Sequence, residues 1–298
     1  MSSITSALKS AFTTSSSSMK IAITGARGTV GREVVKLCAK EGHSTVQINR
    51  TDQENDGTPR TEMRTADAAS DYDATVKAFK GCDAVIHLAA LPNPVGKPDW
   101  QVHSNNVNSA FNGLRAAAEV GIKRFCYASS VNAIGLAYSE RPLRLPYFPV
   151  DEEYPCSPSD SYALAKLEAE TACKAFPNWF PGMKVACLRI HEVENKSNVL
   201  QEHKENWYDA AVKQLWGWVN PVATARACLV SVTNADKFEG CEVFNIIAPD
   251  TTLDTPSAEL AKKYYPDTEL RGDWSSNRAF WTAEKAERVL GWTHHEKE

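Results

Sequence analysis

The stretch KIAITGARGTVG, residues 20–31, is the most informative part of this 298-residue chain. Its first five residues predict a short buried strand, and residues 29–40 carry apolar side chains at helical spacing. Between them lie Gly25, Gly28 and Gly31, with the spacing G-x-x-G-x-x-G rather than the more familiar G-x-G-x-x-G. Glycines at such a turn let the backbone approach a pyrophosphate, and the helix N-terminus offers it free N–H groups. The stretch therefore predicts a dinucleotide-binding turn.

Strand-like and helix-like segments alternate through the first two thirds of the chain. Further helices are predicted at residues 100–120 and 160–176, and further apolar strands at residues 45–48, 83–88, 124–129 and 184–189. Buried strands separated by helices form parallel sheets covered on both faces. We therefore expect an α/β fold, a Rossmann-type doubly wound parallel sheet with a small C-terminal substrate lobe.

The chain is expected to divide into three parts. Residues 1–18 are rich in Ser and Thr and predict a disordered tail, with an organelle-targeting peptide as the alternative. Residues 19–190 form the predicted dinucleotide-binding domain. Residues 191–298 form mainly a substrate-binding lobe, with segments that return to the Rossmann core. Within that lobe the stretch 191–216 is polar and predicts irregular structure, before a helix at 223–232, a strand at 242–247 and a helix at 283–290.

Composition excludes several classes of partner. The net charge of −4, with both signs spread along the chain, argues against nucleic acid. The longest apolar stretch is about half of what a bilayer span needs, so no membrane helix is expected. The eight cysteines contain no C-x-x-C pair, and no carboxylate cluster suggests a metal, so neither a disulfide framework nor a metal site is predicted. A reducing, cytoplasmic location fits this cysteine usage.

The end of the second strand bears on the type of dinucleotide. An acidic residue there would bind the ribose 2′-hydroxyl of NAD, whereas this chain has Asn49 followed by Arg50. Asparagine removes a charge that would repel a 2′-phosphate, and arginine pairs with phosphate bidentately. Arg27 in the glycine turn favours the same cofactor, and Asp67 after the third strand is expected near the adenine. We predict NADP as the preferred cofactor and NAD as the alternative; a solvated surface role for Arg50 stays open.

A tyrosine and a lysine four residues apart are the candidates for the chemistry. Tyr162 and Lys166 share one face of the predicted helix, where the ammonium is expected to lower the pKa of the phenol so that it exchanges protons near neutral pH. The pair of serines Ser129 and Ser130 ends a predicted strand, at the edge where α/β sheets bind ligands. Asn106 on the long helix either takes part in proton transfer or is an ordinary polar helix residue.

These motifs together resemble the short-chain dehydrogenase/reductase superfamily, in its extended branch of NAD-dependent epimerases and dehydratases. The matching segments are Thr24-Gly25-x-x-Gly28-x-x-Gly31, His87-Leu88-Ala89-Ala90, Ser129-Ser130, Tyr162-x-x-x-Lys166 and Leu290-Gly291-Trp292. Residues 129–135 are similar to the corresponding stretch of uronate dehydrogenases and related fungal oxidoreductases. Two features depart from the family pattern: the expected acid is replaced by Asn49, and the C-terminal lobe is short for a nucleotide-sugar epimerase.

The resemblance implies roles for individual residues. It assigns the catalytic hydroxyl to Ser130 rather than Ser129, gives Lys166 a second role on the nicotinamide ribose, and turns Asn132 toward substrate. His191 follows the predicted strand at residues 184–189 and is a further candidate for the substrate site. The residues predicted to touch the cofactor are Gly25, Arg27, Gly28, Thr29, Val30, Gly31, Asn49, Arg50, Asp67, Leu88, Ala89, Ala90, Tyr162 and Lys166.

Three functions remain open from the sequence. The first is an NAD(P)-dependent oxidoreductase that moves a hydride between nicotinamide and a carbonyl or alcohol carbon of a small-molecule substrate, with Tyr162 as acid and base. The second is an epimerase or dehydratase that returns its tightly bound NAD unchanged. The third is a regulator that senses the dinucleotide without chemistry. The resemblance also implies a homodimer paired through the two long helices.

Overall fold

The computed structural model describes residues 18–52, 54–140, 144–205 and 208–294, without the side chains of 203–205 and 208–210. The expected disordered tail lies outside these residues except for Ser18, whose hydroxyl donates to the carbonyl of Gly42 at 2.9 Å. The strands are β1 Lys20–Thr24, β2 Ser44–Asn49, β3 Thr61–Thr65, β4 Ala84–His87, β5 Arg124–Ser130, β6 Tyr147–Phe148, β7 Lys184–Ile190, β8 Cys241–Ile246 and β9 Glu269–Leu270. The helices are α1 Thr29–Lys40, α2 Tyr72–Phe79, α3 Asp99–Glu119, α4 Ser161–Trp179, α5 Lys196–Glu205, α6 Tyr208–Lys213, α7 Pro221–Thr233, α8 Ser257–Tyr264 and α9 Glu284–Leu290.

The expected Rossmann-type sheet is confirmed. Within the described ranges seven strands pair in the order β3-β2-β1-β4-β5-β7-β8, and every neighbouring pair is parallel. The chain builds outward from β1 to β3, then crosses back to place β4 on the other side of β1. This reversal opens a crevice beyond the carboxyl ends of β1 and β4, where open α/β sheets bind ligands.

The central strands of the sheet are buried on both faces because an apolar layer covers each face. All four residues of β4 are buried. One face packs against α1, α7 and the end of α9, around residues such as Val34, Leu229 and Leu290. The other packs against α2, α3 and α4, around Leu114 and Phe176. The layers hold the strand ends, and therefore the crevice, in a rigid frame.

The C-terminal third is built partly around a separate aromatic cluster. Phe148, Trp216, Trp274, Phe280 and Trp281 are buried together, with ring centroids as close as 4.7 Å between Phe148 and Phe280. The two-stranded parallel sheet of β6 and β9 lies beside this cluster. Other segments of the C-terminal third belong instead to the main sheet and its cover: α7 packs on α1, and β8 extends the main sheet. The boundary of the substrate lobe at residue 190 stays a prediction.

The expectation of irregular structure at residues 191–216 is wrong, because α5 and α6 form there. The sequence of α5, KSNVLQEHKE, has a low apolar content and offers little helical periodicity. Val199 is fully buried against Trp218 and Ala248, so the helix is stabilised by tertiary contacts that its own pattern does not reveal. None of the helices in the described part of the chain is long and apolar enough to cross a bilayer.

Candidate active site

A cavity of about 1380 Å³ runs along the carboxyl edge of the sheet, from the glycine turn to the end of β7. Every residue that the sequence predicted to touch the cofactor lines this cavity, and so do Ser130, Asn132 and His191. The structure does not bring Asn106 to its wall. Residues that are up to 190 positions apart in sequence, from Thr24 to Gln214, thus meet in one crevice.

The glycine turn leaves no room for side chains at two of its three glycines. Gly25 has a φ of +67°, and a Cβ on it would lie 3.1 Å from the carbonyl carbon of Leu88. A Cβ on Gly31 would lie 2.4 Å from the carbonyl oxygen of Gly25. Gly28 caps α1 through its backbone, and α1 has no side-chain cap, so its first N–H groups are left for a ligand. The turn fits the pyrophosphate of a dinucleotide.

A buried chain of hydrogen bonds fixes the loop after β4 against this turn. The hydroxyl of Thr24 accepts from the N–H groups of Leu88 and Ala89, at 3.1 and 3.2 Å, and therefore donates its own proton to Nδ1 of His87 at 3.0 Å. Nε2 of His87 then donates to Ser109, whose hydroxyl donates to the carbonyl of Ala89. Burial lowers the pKa of His87 to about 3, so the ring is neutral. His87 is thus a structural residue that shapes the cavity wall.

The end of β2 presents an amide rather than a carboxylate to the cavity. Oδ1 of Asn49 accepts from the N–H of Arg27 at 3.2 Å. Nδ2 of Asn49 is buried and has no hydrogen-bond partner within the described residues. A buried donor without a partner costs about 1–3 kcal/mol, so this atom fits an acceptor oxygen of a bound ribose or phosphate. The residues present thus suit a dinucleotide here as well as at the turn.

The cations predicted to favour NADP stand at the mouth of the same region. The guanidinium of Arg27 donates to Thr51 and to the carbonyl of Asp52, at 3.3 and 3.0 Å, which holds it over the end of β2. Arg50 is exposed and lines the cavity. Asp67 also lines it, and its Oδ1 accepts from the N–H of Ala69 at 3.0 Å.

Tyr162 stands near the start of α4 because Asp160 caps that helix. Oδ1 of Asp160 accepts from the N–H groups of Tyr162 and Ala163, at 2.9 and 2.8 Å. Tyr162 is 7% exposed, and an interaction with Ser130 lowers the pKa of its phenol. The cap therefore sets the first turn of α4, which carries Tyr162, against the end of β5.

The expected lowering of the tyrosine pKa by Lys166 is wrong for the protein by itself. Burial raises the pKa of the Tyr162 phenol above its usual value, and the interaction with Ser130 only partly offsets this. Nζ of Lys166 donates to the carbonyl of Ala128 at 2.6 Å and lies 5.6 Å from the centre of the Tyr162 ring. The same burial lowers the pKa of Lys166 to about 8. Desolvation by burial is therefore the largest influence on the pKa of the phenol.

The two serines at the end of β5 have different partners. Ser129 also lines the cavity, and its hydroxyl donates to Oε1 of Glu170 at 2.6 Å. Ser130 accepts from the N–H of Asn132 at 3.1 Å and interacts with Tyr162. Of the two serines, Ser130 is the one that acts on the pKa of the phenol. The sequence by itself did not reveal Glu170, because its partners come from other elements.

His191 belongs to the cavity wall, and both of its ring nitrogens are engaged. Nδ1 accepts from the N–H of Glu192 at 2.7 Å, and Nε2 donates to the carbonyl of Gln214 at 3.1 Å. Gly217 makes this position available, because a Cβ there would lie 2.5 Å from Nε2. With both nitrogens engaged, the imidazole is suited to shape the wall rather than to act as a base.

Several cavity residues at the substrate end were missed from the sequence. Tyr138 contacts Tyr162 edge-on, with ring centroids 6.1 Å apart. Glu192, Glu202 and Gln214 line the same end. Tyr138 follows a short 3-10 turn, and Glu202 lies on a helix that was not predicted, so neither belongs to a local motif.

Asn106 is buried and supports the cavity from behind. Its Oδ1 accepts from the N–H of Leu91 at 2.8 Å, and its Nδ2 donates to the carbonyl of Leu91 at 3.0 Å. Leu91 lies in the loop after β4 and lines the cavity. The side chain thus holds a backbone segment in position.

The fold and the site together define a dinucleotide-binding α/β protein of the Rossmann type. The sequence profile of the NAD dependent epimerase/dehydratase family matches residues 21–246, and the chain belongs to this family. The description of this family names NAD-dependent epimerases and dehydratases, and the curated relatives include dehydrogenases as well.

The curated relatives include both kinds of enzyme. The L-arabinose 1-dehydrogenase (NAD(P)(+)) of Haloferax volcanii is 32% identical over 179 residues, which are 57% of this chain and 66% of that protein. The NAD-dependent glucose-6-phosphate dehydrogenase of the same organism is 34% identical over 63% of this chain and 72% of its own length. The GDP-mannose 3,5-epimerase of Arabidopsis thaliana is 27% identical over 75% of this chain and 56% of its own. The chain thus spans less than two thirds of the first and the last of these proteins.

Solved structures share the fold at lower identity. A mutated uronate dehydrogenase superposes with a TM-score of 0.65 and 21% identity, over 93% of this chain and 82% of that one. A UDP-galactose 4-epimerase superposes with a TM-score of 0.66 and 21% identity, over 93% of both chains. These similarities show the fold.

Proposed function

We propose that this protein is an NAD(P)-dependent dehydrogenase or reductase that acts on a hydroxyl-bearing or carbonyl-bearing carbon of a small polar compound, with Tyr162 as acid and base. The observation that carries the proposal is the position of the Tyr162 phenol, buried beside Ser130 at the carboxyl edge of the sheet. Lys166 lies on the same helix face, and the glycine turn is part of the same cavity. The nicotinamide cofactor supplies or accepts the hydride.

The chain's own residues handle the oxygen and its proton. Ser130 donates a hydrogen bond to the reacting oxygen and polarises it. In reduction Tyr162 donates its phenolic proton to that oxygen, and in oxidation it removes the proton from the alcohol. The raised pKa keeps the phenol protonated at neutral pH in the protein by itself, which suits the reductive direction. Lys166 supplies positive charge beside the phenol and, by family resemblance, holds the nicotinamide ribose.

The lining of the cavity supports a small polar substrate. Asn132, Tyr138, His191, Glu192 and Gln214 surround the end beyond Tyr162. We assign the substrate lobe to residues 191–298 because these wall residues come largely from its first part. The L-arabinose 1-dehydrogenase among the relatives acts on a free sugar, as its name states, and we infer a free polyhydroxylated compound here.

NADP is the cofactor that we infer to be preferred, with NAD as the alternative. Asn49 carries no charge to repel a 2′-phosphate, and its Nδ2 lacks a partner among the described residues. Arg27 and Arg50 add positive charge at the same end of the cavity. A higher kcat/KM with NADP than with NAD supports this preference, and an equal or lower value refutes it.

A substrate panel tests the proposed reaction. Neutral aldoses, uronic acids and nucleotide sugars are each assayed with NADP and NAD by the absorbance of the reduced nicotinamide, and we expect stoichiometric redox change with a free sugar or polyol. Tyr162→Phe should lower kcat roughly 10²–10⁴-fold while the fold and cofactor binding are retained. Tyr138→Phe, which removes the neighbouring phenol of the same cavity, is the matched control and should keep kcat within several-fold.

Two outcomes would favour the other functions. Conversion of a nucleotide sugar without net change in the cofactor would indicate an epimerase or dehydratase, which the match to the GDP-mannose 3,5-epimerase over 75% of this chain supports. If Tyr162→Phe left the activity intact, a non-catalytic dinucleotide sensor would be indicated instead.

We also infer a homodimer, paired through α3 and α4. These helices pack on each other, and their outer surfaces carry large apolar side chains: Trp100 is 73% exposed, Phe111 41% and Leu164 40%. Exposed apolar groups on adjacent helices are typical of subunit interfaces. Sedimentation analysis should give a dimer that Leu164→Glu dissociates; a monomeric wild-type protein would refute the pairing.

A further inference from the structure

A buried carboxylate outside the cavity faces the lysine of the candidate site. Glu170 is 1% exposed and lies one helical turn beyond Lys166 on α4. Its Oε1 accepts from Ser129 at 2.6 Å and from Nε of Arg189 at 3.0 Å, while its Oε2 accepts from Nη2 of Arg189 at 2.9 Å. Three donors from β5 and β7 thus hold the carboxylate in one orientation.

The helix face that carries this carboxylate also carries the whole candidate constellation. Tyr162, Lys166 and Glu170 are spaced by four residues and therefore lie along one side of α4. Their partners on β5 follow one another in sequence: Glu170 accepts from Ser129, Lys166 donates to the carbonyl of the residue before it, and Tyr162 interacts with the residue after it. The same contacts between α4 and β5 therefore position the carboxylate, the ammonium and the phenol.

Burying the charge of Glu170 is energetically unfavourable unless that charge stabilises neighbouring cations. A buried ion pair such as Glu170–Arg189 gains little over well-packed apolar residues, because both ions lose their hydration. Besides Arg189, with which it pairs, Glu170 acts on a second buried cation, Lys166, four residues before it on the same helix. Lys166 is 3% exposed, and an ammonium at that depth is strongly disfavoured without an opposite charge nearby.

The other groups around Lys166 do not provide that charge. On α4 they are the phenol of Tyr162 and the thiol of Cys173; on the strands they are Tyr127 of β5, whose ring centre is 5.0 Å from Nζ, Cys187 of β7 and the neutral ring of His87 on β4. Burial raises the pKa of both thiols, so they are protonated at neutral pH. Within the described chain, Glu170 is the carboxylate that acts on the pKa of Lys166, and it opposes the lowering by burial.

We propose that Glu170 is a positioning residue that keeps Lys166 in its ammonium form, and that Arg189 and Ser129 hold the carboxylate in place for this purpose. A neutral amine at Lys166 would leave the phenol without its neighbouring positive charge and would weaken its hold on an anionic or hydroxyl-rich cofactor. The consequence for catalysis rests on the proposed function, but the protonation of Lys166 does not.

The protonation of Lys166 can be measured without substrate. The full chain is labelled with trace acetic anhydride at a series of pH values, and the extent of acetylation at each lysine is read by peptide mass spectrometry. Lys174, exposed on the same helix, serves as the internal reference in every sample. In the wild-type protein Lys166 should become reactive near pH 8.

Three variants separate the charge of Glu170 from its structural contacts. Glu170→Gln removes the charge and should move the labelling midpoint of Lys166 down by about one to three pH units. Glu170→Asp keeps the charge and should stay closer to the wild type. Glu170→Gln combined with Arg189→Gln leaves no unpaired ion at the pair, which secures folding if the single variant unfolds, and should retain the lowered midpoint.

The results discriminate cleanly. A wild-type midpoint at Lys166 in a folded Glu170→Gln protein, or in the folded double variant, would show that Glu170 only anchors the helix and would overturn the proposal. A shifted midpoint together with no redox activity on any substrate would leave the inference standing and would refute the proposed function alone.

Discussion

The two ends of the cavity are built from different kinds of contact. At the phosphate end, the turn of residues 25–31 is shaped by close approaches of backbone atoms, both within the turn, between Gly31 and the carbonyl of Gly25, and from the backbone of Leu88. At the reacting end, side chains of α4 meet β5 and β7, and Glu170 meets Ser129 and Arg189 from 41 and 19 residues away. The first end depends on an absence of side chains, and the second depends on the burial and pairing of polar ones.

The largest expected effect breaks the backbone end. Gly31→Ala places a Cβ 2.4 Å from the carbonyl oxygen of Gly25, where backbone must move. We expect the free energy of unfolding to fall by about 3 kcal/mol or more, together with loss of dinucleotide binding, as measured by urea unfolding and cofactor fluorescence. Gly28→Ala is the control, since its Cβ would meet the same oxygen at 3.3 Å and its φ of −66° suits alanine. Equal stability of the two variants would contradict the close contact.

The next effect tests the side-chain end, where neighbouring serines should separate activity from stability. Ser130→Ala should lower kcat about 100-fold with little change in thermal midpoint, because a donor to the reacting oxygen is lost. Ser129→Ala removes the hydroxyl that donates to buried Glu170, and should lower the unfolding free energy by about 1–3 kcal/mol. Its kcat should change less. The reverse pattern would exchange the roles of the two residues.

A smaller effect concerns the pH dependence of the network behind the turn. His87 has a folded pKa of about 3 against a usual value of 6.5, so below pH 6.5 the unfolded chain binds a proton that the folded chain does not. The neutral His87 ring therefore contributes fully to the free energy of unfolding above pH 6.5. This contribution is lost as the pH falls, by up to about 1.4 kcal/mol per pH unit. Between pH 6.5 and 5 the wild-type protein should thus lose roughly 2 kcal/mol.

A variant that lacks only the histidine at position 87 isolates this contribution. His87→Gln should be less stable than the wild type at pH 7 and should show a flatter decline toward pH 5 in urea unfolding. Parallel curves for the two proteins would mean that His87 does not resist protonation in the folded state.

The smallest expected effect concerns Asn49, at the adenosine side of the predicted cofactor site. Asn49→Asp introduces a carboxylate that repels a 2′-phosphate and accepts from ribose hydroxyls. The ratio of kcat/KM for NADP to that for NAD should fall about tenfold or more, equivalent to ~1.4 kcal/mol. Asn49→Ser, which removes the amide without adding charge, is the control and should change the ratio less. An unchanged ratio in Asn49→Asp would place the discrimination elsewhere in the site.

Sequence patterns are sufficient for the features that depend on local geometry. The alternation of strands and helices predicted the parallel Rossmann-type sheet, and β1, α1 and β7 lie within a residue of their predicted bounds. The glycine turn was readable because positive φ and close backbone approach restrict the residue type at single positions. The four-residue spacing of Tyr162 and Lys166 likewise requires only a helix to bring them to one face.

The tertiary structure alone decided what depends on burial and on distant partners. Helix α5 forms because Val199 packs under Trp218, a contact that the polar sequence of α5 does not predict. Tyr138 reaches the cavity from a loop, and Asn106 turns away from the cavity to hold the backbone of Leu91. The pKa of Tyr162 rises where the helix spacing alone predicted a fall, because the surrounding fold buries the phenol and removes its hydration. Spacing along a chain specifies which groups can meet, whereas their charge and partners follow from how deeply the surrounding chain buries them.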